Sequence, residues 1–245
     1  MSAGGAAEQI VLPKPSRIVD HVVDRLIEMI VEGTLPPGSL IRQESLAKQL
    51  GISRTPTREA IQRLELEGLV TIGPSGAARV SSYELDDALA LMEVRELVDG
   101  LAARVLARTG LSPRTATELV DRIEVMGRAV KADDKRTFLS ENAQFHLAII
   151  EATGHKGLQL NLPLVRITSQ AIYLEHGHQP ERHAKSNAEH REILEAIAAG
   201  DPDRAEEAAK AHIRNASAFW LKDLNKQEQE QKPTKKAPAN PRLPA

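Results

Sequence analysis

The chain has 245 residues, enough for two modest domains, and its 41 % hydrophobic and 27 % charged residues give the balance of a soluble globular protein. It has no cysteine, which excludes a disulfide framework and any cysteine-held zinc. A formal net charge of −2 excludes a protein that coats nucleic acid through bulk charge, yet leaves room for a local basic face. Aromatic residues make up only 2 %, so the core must come from Leu, Ile, Val and Ala, which favours helix packing over a sheet sandwich. No apolar run reaches the length of a membrane span, and the N-terminus lacks the apolar centre of a signal peptide. The expectation is a cytoplasmic protein with no membrane partner.

Residues 1–14 are rich in Gly, Ala and Pro without periodicity and read as a disordered arm. A first domain is expected over 15–82. The spacing predicts a helix over 16–32, with Ile18, Val22, Leu26 and Ile30 along one face, stopped by Gly33 and the LPPG turn. A short helix over 44–50 turns Leu46, Ala47 and Leu50 inward. Gly51 then supplies a tight turn, and the next helix begins near Thr55 with the stripe Ala60, Ile61, Leu64. After Gly68 come two short β-prone pieces, 69–72 and 78–80, around Gly73-Pro74-Ser75-Gly76. Helix, helix, turn, helix, hairpin is the layout of a winged helix-turn-helix.

A second domain, 83–224, reads as six helices, 84–109, 113–131, 135–153, 156–175, 183–199 and 202–223, broken by Gly and Pro signals. The first of them shows Leu85, Leu89, Met92, Leu97, Leu101 and Val105 at near-helical spacing. The fold class is therefore mostly α, a winged helix-turn-helix followed by an all-α bundle. Residues 225–245 are polar and Pro-bearing and read as a disordered tail.

The stretch GISRTPTREAIQRLELEGLV, from Gly51 to Val70, carries the most chemistry. Arg54, Thr55, Thr57 and Arg58 cluster at the start of the third helix, and the turn 52–58 holds two Arg and no acid. In a helix-turn-helix that end enters the major groove, where Arg grips guanine O6 and N7. The hydroxyls of Ser53 and Thr55, with the backbone N–H groups there, suit phosphate oxygens. Arg63 could reach the backbone, and Gly76 would let the wing approach the minor groove. The same residues also fit a solvated surface helix with scattered Arg.

In the second domain Asn142 and His146 lie four apart on one helix and face the same way, while His190 and His212 sit on two further helices. Three imidazoles and one amide oxygen suit Zn or Ni. Each His read alone also fits a surface or satisfied core residue. His176, His178 and His183 fall in a polar, loop-like stretch and read as solvated.

The segment LPPGSLIRQESLAKQLGISRTPTREAIQRLELEGLV closely resembles the N-terminal domain of the GntR family of bacterial regulators, through its PG turn, its SRTPTREA core and its RLELEGLV ending. The second domain resembles the helical effector domain, FCD, of that family's FadR branch, and its smaller, six-helix VanR-like subgroup. The marks are Glu93 and Arg95, NAQFH ending at His146, EHREILEAIAAGD from Glu189, and His212. The resemblance implies a homodimeric, ligand-responsive transcription regulator, most often a repressor, on a pseudo-palindromic DNA operator. It places Arg54, Thr55 and Arg58 at base and phosphate contacts and Gly76 near the wing tip. Glu44 stands where some members have Arg, a contact that Arg42 could replace. It further implies that His146, His190, His212 and Asn142 hold a divalent metal, against which a small carboxylate effector binds, with Arg95 and Arg166 as possible clamps. Asn142 replaces the family's usual Asp, which removes one ligand charge, lowers metal affinity and favours an anionic effector. The rival reading is a metal-dependent hydrolase or lyase built on the three His, for which no general base is evident.

Overall fold

The computed structural model describes residues 17–175 and 180–231. The expected arm at 1–14, His176, His178 and the 232–245 part of the tail lie outside the described residues. The chain divides into two compact units, with the boundary between Ser82 and Tyr83.

In the first unit, α1 (Arg17–Val31) packs on α3 (Arg54–Leu66). The helix buries Val19, Val22, Val23, Leu26, Ile27 and Ile30, the stripe that a 3.6-residue period selects. That stripe is rotated from the expected one, and Ile18 is 52 % exposed. Between them, β1 (Leu40–Ile41) leads into α2 (Gln43–Leu50), whose Leu46 and Ala47 are buried while Leu50 is only half-buried. Gly51 closes α2 at φ 65°, donating to the carbonyls of Ala47 and Lys48, a left-handed position that glycine occupies without strain. Ala60, Ile61 and Leu64 of α3 have no exposed surface, as their spacing demands.

β2 (Val70–Ile72) and β3 (Ala78–Val80) form the expected hairpin, pairing Val70 with Val80 and Ile72 with Ala78. β1 adds to the other edge of β3, giving the antiparallel order β1-β3-β2. Two residues are too few to show alternation, so this strand leaves no periodic signal.

The second unit is all helix: α4 (Leu85–Thr109), α5 (Pro113–Lys131), α6 (Lys135–Ala152), α7 (Lys156–Gln159), α8 (Leu162–Glu175), α9 (Pro180–Ala198) and α10 (Pro202–Gln231). Ser112 caps α5 by accepting from the Thr115 N–H, and Asp134 caps α6 by accepting from the Thr137 N–H. The fourth expected helix is broken in two at 160–161. Pro163 has no N–H to continue the ladder, and it is accommodated only in the first turn of a new helix. α10 runs past the expected domain end to Gln231, because Lys, Gln and Glu sustain a helix through this polar stretch. α10 packs along α4, α6 packs on α5, and the core gathers Leu106, Leu119, Met126, Phe138, Phe145, Ile150, Val165 and Ile193.

α4 departs from the expected stripe in part. Met92 is buried and Leu89 and Val105 are half-buried, but Leu97 and Leu101 are 62 % and 43 % exposed, beside Val94 at 49 %, whereas Arg95 and Asp99 are buried. Among the described residues no helix is long and apolar enough to cross a membrane.

Candidate functional site

The N-terminal turn of α3 leaves Ser53, Arg54, Thr55 and Arg58 exposed around the first backbone N–H groups of the helix. Arg54 pairs with Glu44 of α2 on the open surface, where such a pair contributes little and can be exchanged for another anion. Arg42 is exposed just before α2. Arg63 pairs with Asp20 of α1 at 2.6 Å, with both side chains half-exposed. Gly76 lies exposed at the tip of the β2–β3 turn with φ 78°. Thr57 does not belong with the outward group: it has no exposed surface, and its hydroxyl donates back to the Ser53 carbonyl at 3.4 Å. Its position three residues after Arg54 turns it onto the core face beside Ala60, Ile61 and Leu64.

In the helical unit, α6, α9 and α10 bring His146, His190 and His212 together, all buried, with ligand atoms within 4.8 Å of one another. Asn142, one turn before His146, has no exposed surface. His146 Nδ1 meets Asp99 Oδ2 at 2.9 Å, and His212 Nδ1 meets Glu189 Oε2 at 2.8 Å. Each carboxylate is itself anchored by an arginine. The Arg95 Nε donates to Asp99 at 3.3 Å, and Arg182 grips Glu189 through two bonds of 3.2 and 3.0 Å. Arg95 also donates to Thr168 and Ser169 of α8, at 3.0 and 3.3 Å. Asn215 donates at 2.9 Å to Glu189 Oε1, the oxygen that also accepts from Arg182 Nη1.

These contacts set the charges. Burial lowers the His146 pKa to about 4, and the Arg95 charge pushes it the same way. Burial, with the neighbouring His212 and His146, holds His190 well below its usual value. Burial also lowers His212, partly offset by its bond to Glu189. Burial opposes ionisation of Asp99, but Arg95 and His146 outweigh it and hold its carboxyl below the usual range. Glu189 is likewise opposed by burial, yet its bonds from His212 and Arg182 bring it to about 2. At neutral pH the carboxylates are therefore charged and the imidazoles neutral. Nδ1 of His146 and His212 then carries the proton, and Nε2 keeps its lone pair.

Nε2 of His146 and His212, both nitrogens of His190 and both amide atoms of Asn142 have no hydrogen-bond partner among the described residues. Buried polar atoms are rarely left so. The donor set fits a divalent metal: neutral imidazoles backed by carboxylates, plus an amide oxygen.

Arg95 is buried beside this centre and its Nη2 has no partner among the described residues. Arg166 sits half-buried on α8. His183 is not solvated: it is buried on α9 and stacked on Phe138, with centroids 4.2 Å apart. Sequence reasoning missed Asp99, Arg182, Thr168, Ser169 and Asn215, and left Glu189 without a role. Asp99 had a signal, a carboxylate one turn from Arg95 on an apolar helix.

A three-helix head with a two-strand wing, followed by a helical bundle with a buried polar centre, defines a two-domain DNA-binding regulator. The bacterial regulatory proteins of the gntR family match residues 18–80, and the FCD domain matches residues 90–215. The chain belongs to the GntR family of bacterial transcriptional regulators, in its FadR-like branch with an FCD domain.

Among relatives, a probable D-xylose utilization operon transcriptional repressor of Paenarthrobacter nicotinovorans is 28 % identical, over 80 % of this chain and 85 % of its own. An uncharacterized HTH-type transcriptional regulator of Streptomyces ambofaciens is 31 % identical over 78 % and 79 %. A putative L-lactate dehydrogenase operon regulatory protein of Escherichia coli is 27 % identical over 83 % and 86 %. The solved structure of E. coli McbR/YncC has the same fold, with a TM-score of 0.74 at 23 % identity, covering 86 % of this chain and all of that one. A putative GntR regulator from Rhodococcus sp. RHA1 follows, with a TM-score of 0.69 at 20 % identity over 84 % and 99 %.

Proposed function

We propose that the protein is a ligand-responsive repressor that binds a pseudo-palindromic operator as a homodimer and is released by a small carboxylate effector. Arg54, Thr55 and Arg58 read the major groove, Ser53 and Arg42 hold phosphates, and Gly76 brings the wing to the minor groove. Arg63, half-exposed in its pair with Asp20, reaches the phosphate backbone. In the helical domain a divalent ion, zinc or nickel, sits among Asn142, His146, His190 and His212, and the effector carboxylate binds against it with Arg95 and Arg166 as clamps. Effector and operator affinities are coupled, each ligand changing the binding of the other by the same factor.

The observation that carries this reading is the convergence of three buried, neutral imidazoles whose outward nitrogens have no partner among the described residues. Neutral rings held by charged carboxylates are what a metal needs. The neutral amide of Asn142 leaves the ion its full charge, which supports an anionic effector. Dimerisation is supported by the exposed stripe Val94, Leu97 and Leu101 on α4.

The test is metal content after reconstitution with zinc and dialysis. Wild type is expected to retain one ion per chain, while a His146→Ala/His190→Ala variant loses it yet keeps operator binding. Stoichiometric zinc in the double variant would remove this ligand set.

A further inference from the structure

The three-His centre leaves part of the buried polarity around it unexplained. α6 and α9 face each other through two aromatic rungs: Phe138 stacks on His183 at 4.2 Å, and Phe145 meets His190 at 4.6 Å. The rungs are seven residues apart on both helices, so the two helices run the same way and stay in register across this level. Between the rungs fall Asn142 on α6 and Ser186 and Asn187 on α9. Asn142 and Ser186 have no exposed surface, and Asn187 is 3 % exposed. Both amide atoms of Asn142, the Ser186 hydroxyl and the Asn187 carbonyl oxygen lack a hydrogen-bond partner among the described residues. A Cβ on Gly127 of α5 would stand 3.2 Å from the Asn187 nitrogen, so a glycine there keeps space for this amide.

A metal ion answers only some of these atoms. It can take the Asn142 oxygen, but the Nδ2 of the same amide can only donate and needs an acceptor, a demand that an Asp would not make. Ser186 lies one turn before His190 and faces the same way. The layer thus offers a donor on Asn142, an acceptor on Asn187 and a hydroxyl that does either. A second carboxylate would meet the Asn187 oxygen unfavourably, and an ammonium would meet the Asn142 N–H₂. A hydroxyl, which donates and accepts at once, satisfies all three.

We propose that Asn142, Ser186 and Asn187 form an uncharged hydrogen-bonding subsite beside the three-His centre that holds a hydroxyl of the effector, making the ligand class a hydroxycarboxylate. The subsite rests on the reading that the centre binds a carboxylate. The experiment is calorimetric titration of the zinc-loaded full-length protein with matched pairs: propionate and lactate, succinate and malate, tricarballylate and citrate. The hydroxylated member of at least one pair is expected to bind at least about 10-fold more tightly, the size of a satisfied buried polar contact. Ser186→Ala, and independently Asn187→Ala, bring that ratio close to one while zinc content and affinity for the plain acid hold. Equal affinities within every pair, or a ratio that neither substitution changes, overturns the subsite and assigns the layer to ordered water. If no acid binds the zinc-loaded protein, the effector reading falls first and the subsite with it.

Discussion

Asp99→Asn separates the two duties of the buried carboxylate on α4. Asparagine keeps the shape of the side chain but removes its charge, so two interactions change together. Arg95, 1 % exposed, loses its counter-charge. The His146 Nδ1–H, 2.9 Å from Asp99, loses an acceptor that cannot be turned around to present a donor. Stranding one partner of a buried pair destabilises by about 3–5 kcal/mol. The hydroxyls of Thr168 and Ser169, which also receive Arg95, place the expected loss at about 3 kcal/mol, the lower end of that range. Loss of an outer-shell partner of a metal-bound imidazole lowers metal affinity by about 10–100-fold. Zinc affinity is read by competition with a chromophoric chelator, and stability by urea unfolding of the metal-free protein, so the two effects are scored separately. A destabilised variant that binds zinc as tightly as wild type would refute the argument that Asp99 orients His146 for a metal.

Acid should weaken the metal-free helical domain. The His146 pKa lies at about 4 in the folded protein and near 6.5 once unfolded, so the unfolded chain takes up the proton first. Stability is therefore full above about pH 6.5 and falls as pH drops toward 4, by about 3 kcal/mol from His146 alone. His190 and His212 act in the same direction, and a melting temperature unchanged between pH 7.5 and 5 would contradict this. Leu97→Glu puts a charge into the exposed stripe of α4, and sedimentation equilibrium should show the dimer dissociation constant rise by about 30-fold, or about 2 kcal/mol. An unchanged dimer would place the interface elsewhere.

The head of the molecule was legible because its signals are local. The Gly51 turn, the helix start near Thr55 and the Ala60, Ile61, Leu64 stripe lie within a few residues of one another, and the structure bears them out, with α3 beginning at Arg54. Thr57 was misread because residue type near a helix start suggested exposure, while its position relative to Leu64 decided burial. α4 shows the same limit on a larger scale. Its leucines pointed to one face, but the bundle turned Arg95 and Asp99 inward, since α6 and α8 supply His146, Thr168 and Ser169 to pair with them. Such pairing is invisible until distant helices meet. The three histidines could be named from their resemblance to a family pattern. The carboxylates behind them, and the orphaned Ser186 and Asn187, needed the packed bundle.

The most direct test of the account is fluorescence anisotropy of a duplex from the region upstream of the protein's own gene, titrated at several salt concentrations beside a scrambled duplex. The account predicts a preferred site whose affinity falls steeply with salt, and an Arg54→Ala/Arg58→Ala variant that keeps its melting temperature while losing at least about 10-fold in affinity. Equal binding of the two duplexes, or a double variant that binds as tightly as wild type, would contradict the assignment of the α3 N-terminus as the DNA-reading element.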